Sequence, residues 1–148
     1  MAGLAKNSYN RMLNEKIVLA PLLAFAAPLP LLLIEWWLPY PFVIEELVKA
    51  GLVLMIISAP ATKDRTKFLA VVLSGVLFTL SESIFYLFNY LCLHHCSLFL
   101  DRLWRTGGLH ISSLLILFIF ARYGKFWLIV GFLLAVILHA EFNMLFSP

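Results

Sequence analysis

Seven polar side chains interrupt the apolar stretches of this sequence, and hydrolytic enzymes use residues of these types in their active sites. They are three glutamates, a lysine, two histidines and an asparagine: Glu45, Glu46, Lys49, Glu82, His110, His139 and Asn143. A carboxylate can act as a general base towards water, and histidine or asparagine can donate hydrogen bonds to a developing oxyanion. Ionisable groups inside apolar segments cost roughly 2.5–3.5 kcal/mol each on insertion scales, so each is a functional hypothesis by default.

Helical spacing places several of these residues in pairs. Glu45 precedes Lys49 by four positions, which is the favourable order for an ion pair within a helix. The adjacent Glu45 and Glu46 point about 100° apart, so one can face a cavity while the other braces it. Three further pairs share a helix face: Glu82 with Tyr86, His139 with Asn143, and His110 with Ser113.

Two hydrolytic mechanisms are compatible with these residue types. In one, a glutamate activates water without a metal. In the other, His110, His139 and Glu46 hold a zinc ion that keeps an open position. A structural interpretation is also open for each residue, since helix-end ion pairs, interhelical hydrogen bonds and buried bundle histidines are common. A functional site is favoured over these structural roles because all these groups occur together.

A second cluster, Cys92-Leu93-His94-His95-Cys96, has the composition of a metal site but not its spacing. No second ligand pair follows the Cys-x3-Cys segment, so zinc binding is disfavoured and an ordinary helix terminus is the preferred interpretation. Two cysteines are also too few for a disulfide framework.

The composition indicates a membrane protein. The 148 residues are 63% hydrophobic and 13% charged, and the mean hydropathy is +0.97. Soluble domains are about half apolar and about a quarter charged, so lipid must cover the surplus here. The length predicts a single domain over residues 1–148. The net charge of +3 is better explained by membrane orientation than by nucleic-acid binding, and no nucleic-acid partner is predicted.

Apolar segments predict an all-α bundle of about five transmembrane helices, at about 17–38, 41–58, 67–93, 103–121 and 126–146. Each is near the 17–25 residues that cross a bilayer, and the short connections favour antiparallel neighbours. Pro21, Pro28 and Pro30 are expected to break the first span. That span follows basic residues as a signal peptide does, but its apolar run continues to Ile34, which favours a retained helix.

Basic residues predict the orientation of these spans. With a cytoplasmic N-terminus, the inner side holds eight Lys and Arg residues and the outer side two, Arg102 and Arg105. The inner eight are Lys6, Arg11, Lys16, Lys63, Arg65, Lys67, Arg122 and Lys125. This excess predicts an N-in, C-out topology. Aromatic residues near the outer ends resemble an interfacial belt: Trp36, Trp37, Tyr40 and Trp104.

In this orientation the polar residues share one depth. Glu82 and His139 lie about 22 Å and about 20 Å from the inner ends of their spans, at 1.5 Å per residue. Glu45 and Glu46 lie about one turn below the outer surface, and His110 lies near the outer start of its helix. The sequence therefore predicts one polar site in the outer half of the bilayer, contributed by four helices.

Taken in chain order, these residues resemble the motifs of the PrsW family of intramembrane proteases. The resemblance covers about 42–146, most of the chain, and Ser83 stands where the family usually has asparagine. The matches are Glu45-Glu46-x-x-Lys49, Phe78 to Glu82 and Tyr86, His110 with the upstream Arg102, and His139-x-x-x-Asn143. The family is similar to the type II CAAX prenyl endopeptidases and to the Aph subunit of gamma-secretase, which is a scaffold.

The resemblance implies an enzyme that cleaves membrane-anchored proteins near the extracytoplasmic surface of a prokaryotic cell membrane. By this resemblance, Glu45 or Glu46 would activate the water with help from His110, and His139 and Asn143 would form the oxyanion site. Supporting roles would go to Lys49, Glu82, Tyr86 and Arg102. The family's use of a metal is left open, so zinc or no cofactor are both compatible with the resemblance.

Two other classes of function are also considered. A non-catalytic scaffold or assembly subunit could have the same fold. A small proton-coupled transporter could use the same residue types, because intramembrane Glu and His build proton relays. No inverted repeat is visible, however, and five spans are few for alternating access. The favoured prediction is therefore an intramembrane endopeptidase.

Overall fold

Six helices joined by short turns make up the described part of the chain. The computed structural model describes residues 15–35, 37–59, 62–92 and 96–146, without the side chains of residues 35, 86, 88–92 and 96. The helices are α1 (Glu15–Ala26), α2 (Pro28–Glu35), α3 (Pro41–Ile57), α4 (Asp64–Cys92), α5 (Cys96–Ala121) and α6 (Lys125–Phe146). The described residues contain no strand, so the all-α prediction is confirmed.

Helices α1 and α2 form one broken segment. Their axes differ by 43° across a break at Ala27. Pro28 follows the break, and its ring has no N–H to continue the helical hydrogen bonds of α1. Pro21 lies inside α1 and Pro30 lies in the first turn of α2. Of the three prolines expected to break the first span, only Pro28 therefore does so.

Among the described residues, three helical segments are long and apolar enough to cross a bilayer: Asp64–Phe85, Ser97–Ala121 and Lys125–Phe146. The bent pair α1–α2 makes a fourth if it is counted as one span. Helix α3 has 17 residues, which corresponds to about 25 Å. Only 17% of the most apolar stretch of α6 is buried. Its many exposed apolar side chains are consistent with an integral membrane protein whose surface contacts lipid.

Helix α5 begins at Cys96 rather than near Leu103, where its span was expected. Charged side chains lower the hydropathy of this first part of the helix. Two of them stabilise it, because Asp101 and Arg105 form an i,i+4 ion pair with an O–N distance of 2.8 Å. The helix therefore begins earlier than the apolar segment alone predicts.

Small residues let α4, α5 and α6 approach closely. A Cβ on Gly75 of α4 would lie 2.8 Å from Cγ1 of Ile111 on α5. A Cβ on Gly131 of α6 would lie 2.7 Å from Cβ of Phe120 on α5. The fully buried side chains around these contacts include Val53, Ile56, Val71, Phe78, Leu114 and Leu117. The core therefore lies between α3, α4 and α5, with α6 packed on α5 and α3.

Polar contacts join the helix ends at one end of the bundle. The contacts are Lys16 Nζ to Ser58 Oγ at 3.2 Å, Lys67 Nζ to the Ile57 carbonyl at 3.1 Å, and Arg122 Nη2 to Asp64 Oδ2 at 2.8 Å. They bring together the starts of α1 and α4 and the ends of α3 and α5. Neighbouring helices are thus antiparallel, and a basic cluster marks this end.

Candidate active site

Glu46 is the centre of a buried ion cluster between α3 and α6. Lys49 Nζ donates a hydrogen bond to Glu46 Oε1 at 2.6 Å, and His139 Nδ1 donates to the same oxygen at 2.8 Å. Glu46 and Lys49 are both 0% exposed. Glu45 lies further away, with its Oε2 at 3.8 Å from Lys49 Nζ. Two donors therefore hold Glu46 in place, while Glu45 is bound less tightly to the same lysine.

The position of this cluster follows from the amphipathic pattern of α3. Its buried residues recur at helical spacing: Glu46, Lys49, Ala50, Leu52, Val53 and Ile56. Two of them, Glu46 and Lys49, are charged, and both lie within the first nine of its 17 residues. Burying an unpaired charge is costly, so each charge here needs its partner within the bundle.

A second polar pair connects α4 to α5. His110 Nε2 lies 2.6 Å from Glu82 Oε2, and Arg102 Nη2 lies 3.7 Å from Glu82 Oε1. Because a carboxylate only accepts hydrogen bonds, we assign the proton of this contact to His110 Nε2. His110 Nδ1 is then an acceptor. It is buried and has no hydrogen-bond partner among the described residues.

The two polar groups meet in the middle of the bundle. The ring centroids of His110 and His139 are 6.0 Å apart, and Glu45 Oε2 is 4.0 Å from His139 Nε2. Phe78 lies beside both groups, with its ring centroid 4.8 Å from that of His110 and 4.9 Å from Lys49 Nζ. Side chains from α3, α4, α5 and α6 thus form one site.

Two cavities adjoin this site. The larger, of about 390 Å³, lies between α5 and α6. The smaller, of about 180 Å³, lies against α2, α3 and α4. His110 lines the larger cavity and Glu45 the smaller. Four residues line both: Glu82, Arg102, His139 and Asn143. The polar residues therefore form the boundary between the two cavities.

Asn143 lies one turn beyond His139 on α6, and both residues face the cavities. This is the arrangement expected from their i,i+4 spacing. Glu141 is exposed, as expected for a residue about 200° round the helix from His139. The side-chain amide of Asn143 can present an N–H donor at the boundary between the cavities.

One group of side chains has the arrangement of metal ligands. Glu45, Glu82 and His110 each offer a ligand atom, and these atoms lie within 4.8 Å of one another. This trio differs from the predicted set of His110, His139 and Glu46, because Lys49 and His139 already occupy Oε1 of Glu46. Two carboxylates and an imidazole fit a divalent cation that keeps an open coordination position.

Phe42 and Thr106 of the site carried no signal in the sequence, whereas Phe78 already belonged to the motif of the third predicted span. Phe78 precedes Glu82 by four positions, and Thr106 precedes His110 by four. Thr106 is buried and lines the larger cavity. Phe42 packs on His139, with ring centroids 5.8 Å apart. Helical spacing from His110 would have identified Thr106.

Some sequence predictions lie outside the described residues. They concern the side chain of Tyr86, the Cys92–Cys96 cluster, Trp36 of the aromatic belt, and the basic residues Lys6 and Arg11. The remaining residues predicted for the site all lie around the two cavities or in the ion cluster beside them.

Comparison with known proteins gives no match to a family model, to a curated protein or to a solved structure.

Proposed function

We propose that this chain is a PrsW-like intramembrane endopeptidase that hydrolyses a peptide bond of a membrane-anchored protein. The observation that carries this proposal is the convergence of Glu45, Glu82, His110 and His139 from four helices at the boundary of two cavities. Most buried acceptors in proteins are paired, so a buried acceptor without a partner needs an explanation such as a bound water or a catalytic role. Here His110 Nδ1 is buried and has no hydrogen-bond partner among the described residues.

We place the bundle across a prokaryotic cell membrane with the N-terminus inside and about five spans, of which α1–α2 is the first. The basic cluster at one end of the bundle supports this orientation. Trp37 and Trp104 support it as well, because they are 85% and 84% exposed and lie away from the basic end. Helix α3, at about 25 Å, is close to the roughly 30 Å of a hydrocarbon core. In this arrangement the site lies in the outer half of the bilayer.

Glu45 is the better candidate for the general base. It lines a cavity, whereas Glu46 is fully buried and held by Lys49 and His139. Glu45 takes a proton from water as the hydroxide forms a bond to the scissile carbonyl carbon. When the tetrahedral intermediate collapses, the C–N bond breaks and that proton passes to the leaving amine. Glu82 fixes the ring of His110, so that Nδ1 can orient the water.

Asn143 and His139 are the candidate donors to the oxyanion. Asn143 can donate from its amide in any protonation state of the site. His139 Nδ1 already donates to Glu46, so His139 can also donate from Nε2 only when both ring nitrogens carry a proton. Two such donors would stabilise the negative charge that develops on the carbonyl oxygen.

A divalent cation such as zinc is an alternative to the metal-free mechanism. Glu45, Glu82 and His110 would hold it, and it would supply Lewis-acid activation of the water. Glu45 would then be a ligand rather than the base. Chelator should silence the wild-type protein and added zinc should restore it in this case. Unchanged activity in chelator supports the metal-free mechanism.

The proposal is tested with purified protein in liposomes and a pool of single-span model proteins. The residues of the pool next to the outer surface vary, and mass spectrometry identifies each cleaved bond. We expect cleavage by the wild type and none by Glu45→Gln, because glutamine keeps the shape and loses the base. Glu141→Gln is the matched control, since Glu141 is exposed on α6. Full cleavage by both Glu45→Gln and Glu46→Gln would exclude these glutamates as the base, and a wild type that cleaves no member of the pool would favour the scaffold function.

A further inference from the structure

We propose that the two cavities serve different reactants: the smaller carries water to Glu45, and the larger receives the substrate chain. The inference rests on the proposed endopeptidase function and deepens it. It identifies the substrate segment as an extended stretch of a membrane-anchored protein that enters between α5 and α6. The scissile carbonyl is then presented from one side of the polar boundary, and water attacks it from the other side.

The first argument is the polar lining of the smaller cavity. Most of the surface that this cavity exposes is polar, and five polar side chains line it: Glu45, Glu82, Arg102, His139 and Asn143. An apolar group placed there would displace water from these side chains without replacing its hydrogen bonds, which is costly. A buried water needs about two to four polar partners, and it occupies roughly 30 Å³ in the liquid. The cavity, at about 180 Å³, therefore suits a small cluster of water molecules.

The second argument is the position of the general base. Glu45 lines the smaller cavity and not the larger, whereas His110 lines the larger and not the smaller. One side-chain atom from each of Glu45, Glu82 and His110 lies within 4.8 Å of the other two. A water molecule that reaches the boundary from the smaller cavity therefore lies beside the base. The candidate oxyanion donors, His139 and Asn143, line both cavities and can reach a carbonyl presented from the larger one.

The third argument is the mixed lining of the larger cavity, which suits an extended chain. Its volume is about 390 Å³, and polar and apolar groups contribute similarly to its surface. An extended segment exposes peptide N–H and C=O groups, and each of these needs a hydrogen-bond partner when it is buried. Arg102 and Thr106 can donate to peptide carbonyls. Leu109 and Phe142 offer apolar walls to the side chains of the same segment.

Both cavities extend towards the end of the bundle that lies away from the basic cluster. The smaller cavity reaches Pro41, the first residue of α3. The larger cavity reaches Leu98, near the start of α5, and Leu145, near the end of α6. Both leucines are exposed, so the mouth of the larger cavity suits a chain that arrives from lipid. Water and substrate thus approach the boundary from the same end of the bundle by separate routes.

Thiol accessibility tests the water route, in a protein with Cys92→Ser and Cys96→Ser. The reagent is methanethiosulfonate ethylammonium, which is charged and reacts with the thiolate that a cysteine forms in water. Leu31 is only 4% exposed but lines the smaller cavity, whereas Leu33 is 73% exposed and lines neither cavity. We expect Leu31→Cys in liposomes to react at least about tenfold faster than Leu33→Cys, as measured by mass spectrometry. Equal rates, or a faster reaction of Leu33→Cys, would overturn the water route.

Obstruction of each cavity should change a different kinetic constant for cleavage of a model protein in liposomes. Leu98→Trp, at the mouth of the larger cavity, should raise KM by roughly tenfold or more with little change in kcat, because it hinders substrate binding. Leu32→Trp, in the smaller cavity, should lower kcat by roughly tenfold with little change in KM, because it displaces water from the base. Leu100→Trp and Leu33→Trp are the matched controls, since both residues are exposed and line neither cavity.

The outcomes separate this inference from the function on which it rests. A rise in KM alone from Leu32→Trp, or a fall in kcat alone from Leu98→Trp, would overturn the division between the cavities while the endopeptidase function stands. Wild-type constants in both variants would overturn the division as well. If Leu32→Trp fails to fold, the thiol rates decide the water route. A wild type that cleaves no member of the pool of model proteins would overturn both the division and the function.

Discussion

At the scale of single residues, the charge of Glu46 depends on Lys49 and His139, because these donors replace water inside the bundle. Removing one partner of a buried ion pair costs more than the pair contributes, since the remaining charge stays buried. We therefore expect a single substitution in the ion cluster to lower the free energy of unfolding more than a double substitution that removes both charges of a pair.

Lys49→Met should therefore destabilise the protein by about 3–5 kcal/mol, because it leaves the carboxylate of Glu46 with His139 as its remaining donor. The free energy of unfolding in detergent measures this effect. The double variant Glu46→Gln/Lys49→Met removes both charges and should recover much of the loss. A Lys49→Met protein as stable as the wild type would show that the cluster is not held as described.

Asn143→Ala and His139→Ala should each lower kcat by roughly 10²–10³-fold, with a smaller effect on KM, if both donate to the oxyanion. The liposome assay with one cleaved model protein gives both constants. Glu141→Ala, which removes an exposed side chain of the same helix, is the control. Unchanged kcat in Asn143→Ala would remove this residue from the oxyanion site.

The sequence predicted that Glu45 and Glu46 are not equivalent, because neighbours on a helix point in different directions. It could not predict which one is the brace. That depends on how α3 is rotated against α6, since His139 selects the carboxylate that faces it. The metal trio was missed for the same reason, as it needs the relative positions of α3, α4 and α5.

At the scale of helices, glycine sets the distance between α4 and α5. Gly75→Ala should destabilise the protein by about 1–3 kcal/mol, because its Cβ would lie 2.8 Å from Ile111 Cγ1 and 3.0 Å from Ile111 Cα. Gly108→Ala is the matched control on α5, where an added Cβ meets nothing within 4 Å. It should stabilise its helix by up to about 1 kcal/mol. Equal unfolding free energies for both variants would contradict this packing.

Helix existence and order were predictable from apolar length, since lipid-covered helices need long apolar runs. The residue at which α5 starts was not predictable, because Asp101 and Arg105 stabilise a helical turn whose charged side chains lower the hydropathy. The position of the proline break was only partly predictable. A proline near the start of a helix is tolerated, and which of several prolines ends up at a break depends on packing.

At the scale of the whole molecule, the proposed topology places the α3–α4 turn and the start of α5 on opposite sides of the membrane. Single cysteines at Thr62 and Ser97, in a protein with Cys92→Ser and Cys96→Ser, test this with an impermeant maleimide. Thr62→Cys should react only from the cytoplasmic side and Ser97→Cys only from the outside. Reaction of both from the same side would refute the five-span arrangement.

The basic residues are few and unevenly placed, so the sequence alone predicts an orientation in the membrane, but it could not predict the two cavities. Their walls combine α2 with α3 and α4 on one side and α5 with α6 on the other. These helices are far apart in sequence, and residues such as Leu31 and Phe142 are ordinary apolar residues. Their role follows from the fold and has no local signature.

The central claim is that Glu45 is the base and Glu46 the brace, and one comparison of glutamine variants tests it most directly. Cleavage of a single model protein and unfolding in detergent are measured for Glu45→Gln, Glu46→Gln and the control Glu141→Gln. We predict that Glu45→Gln unfolds like the wild type but does not cleave, whereas Glu46→Gln loses both stability and part of its activity. Full cleavage by Glu45→Gln would contradict the claim.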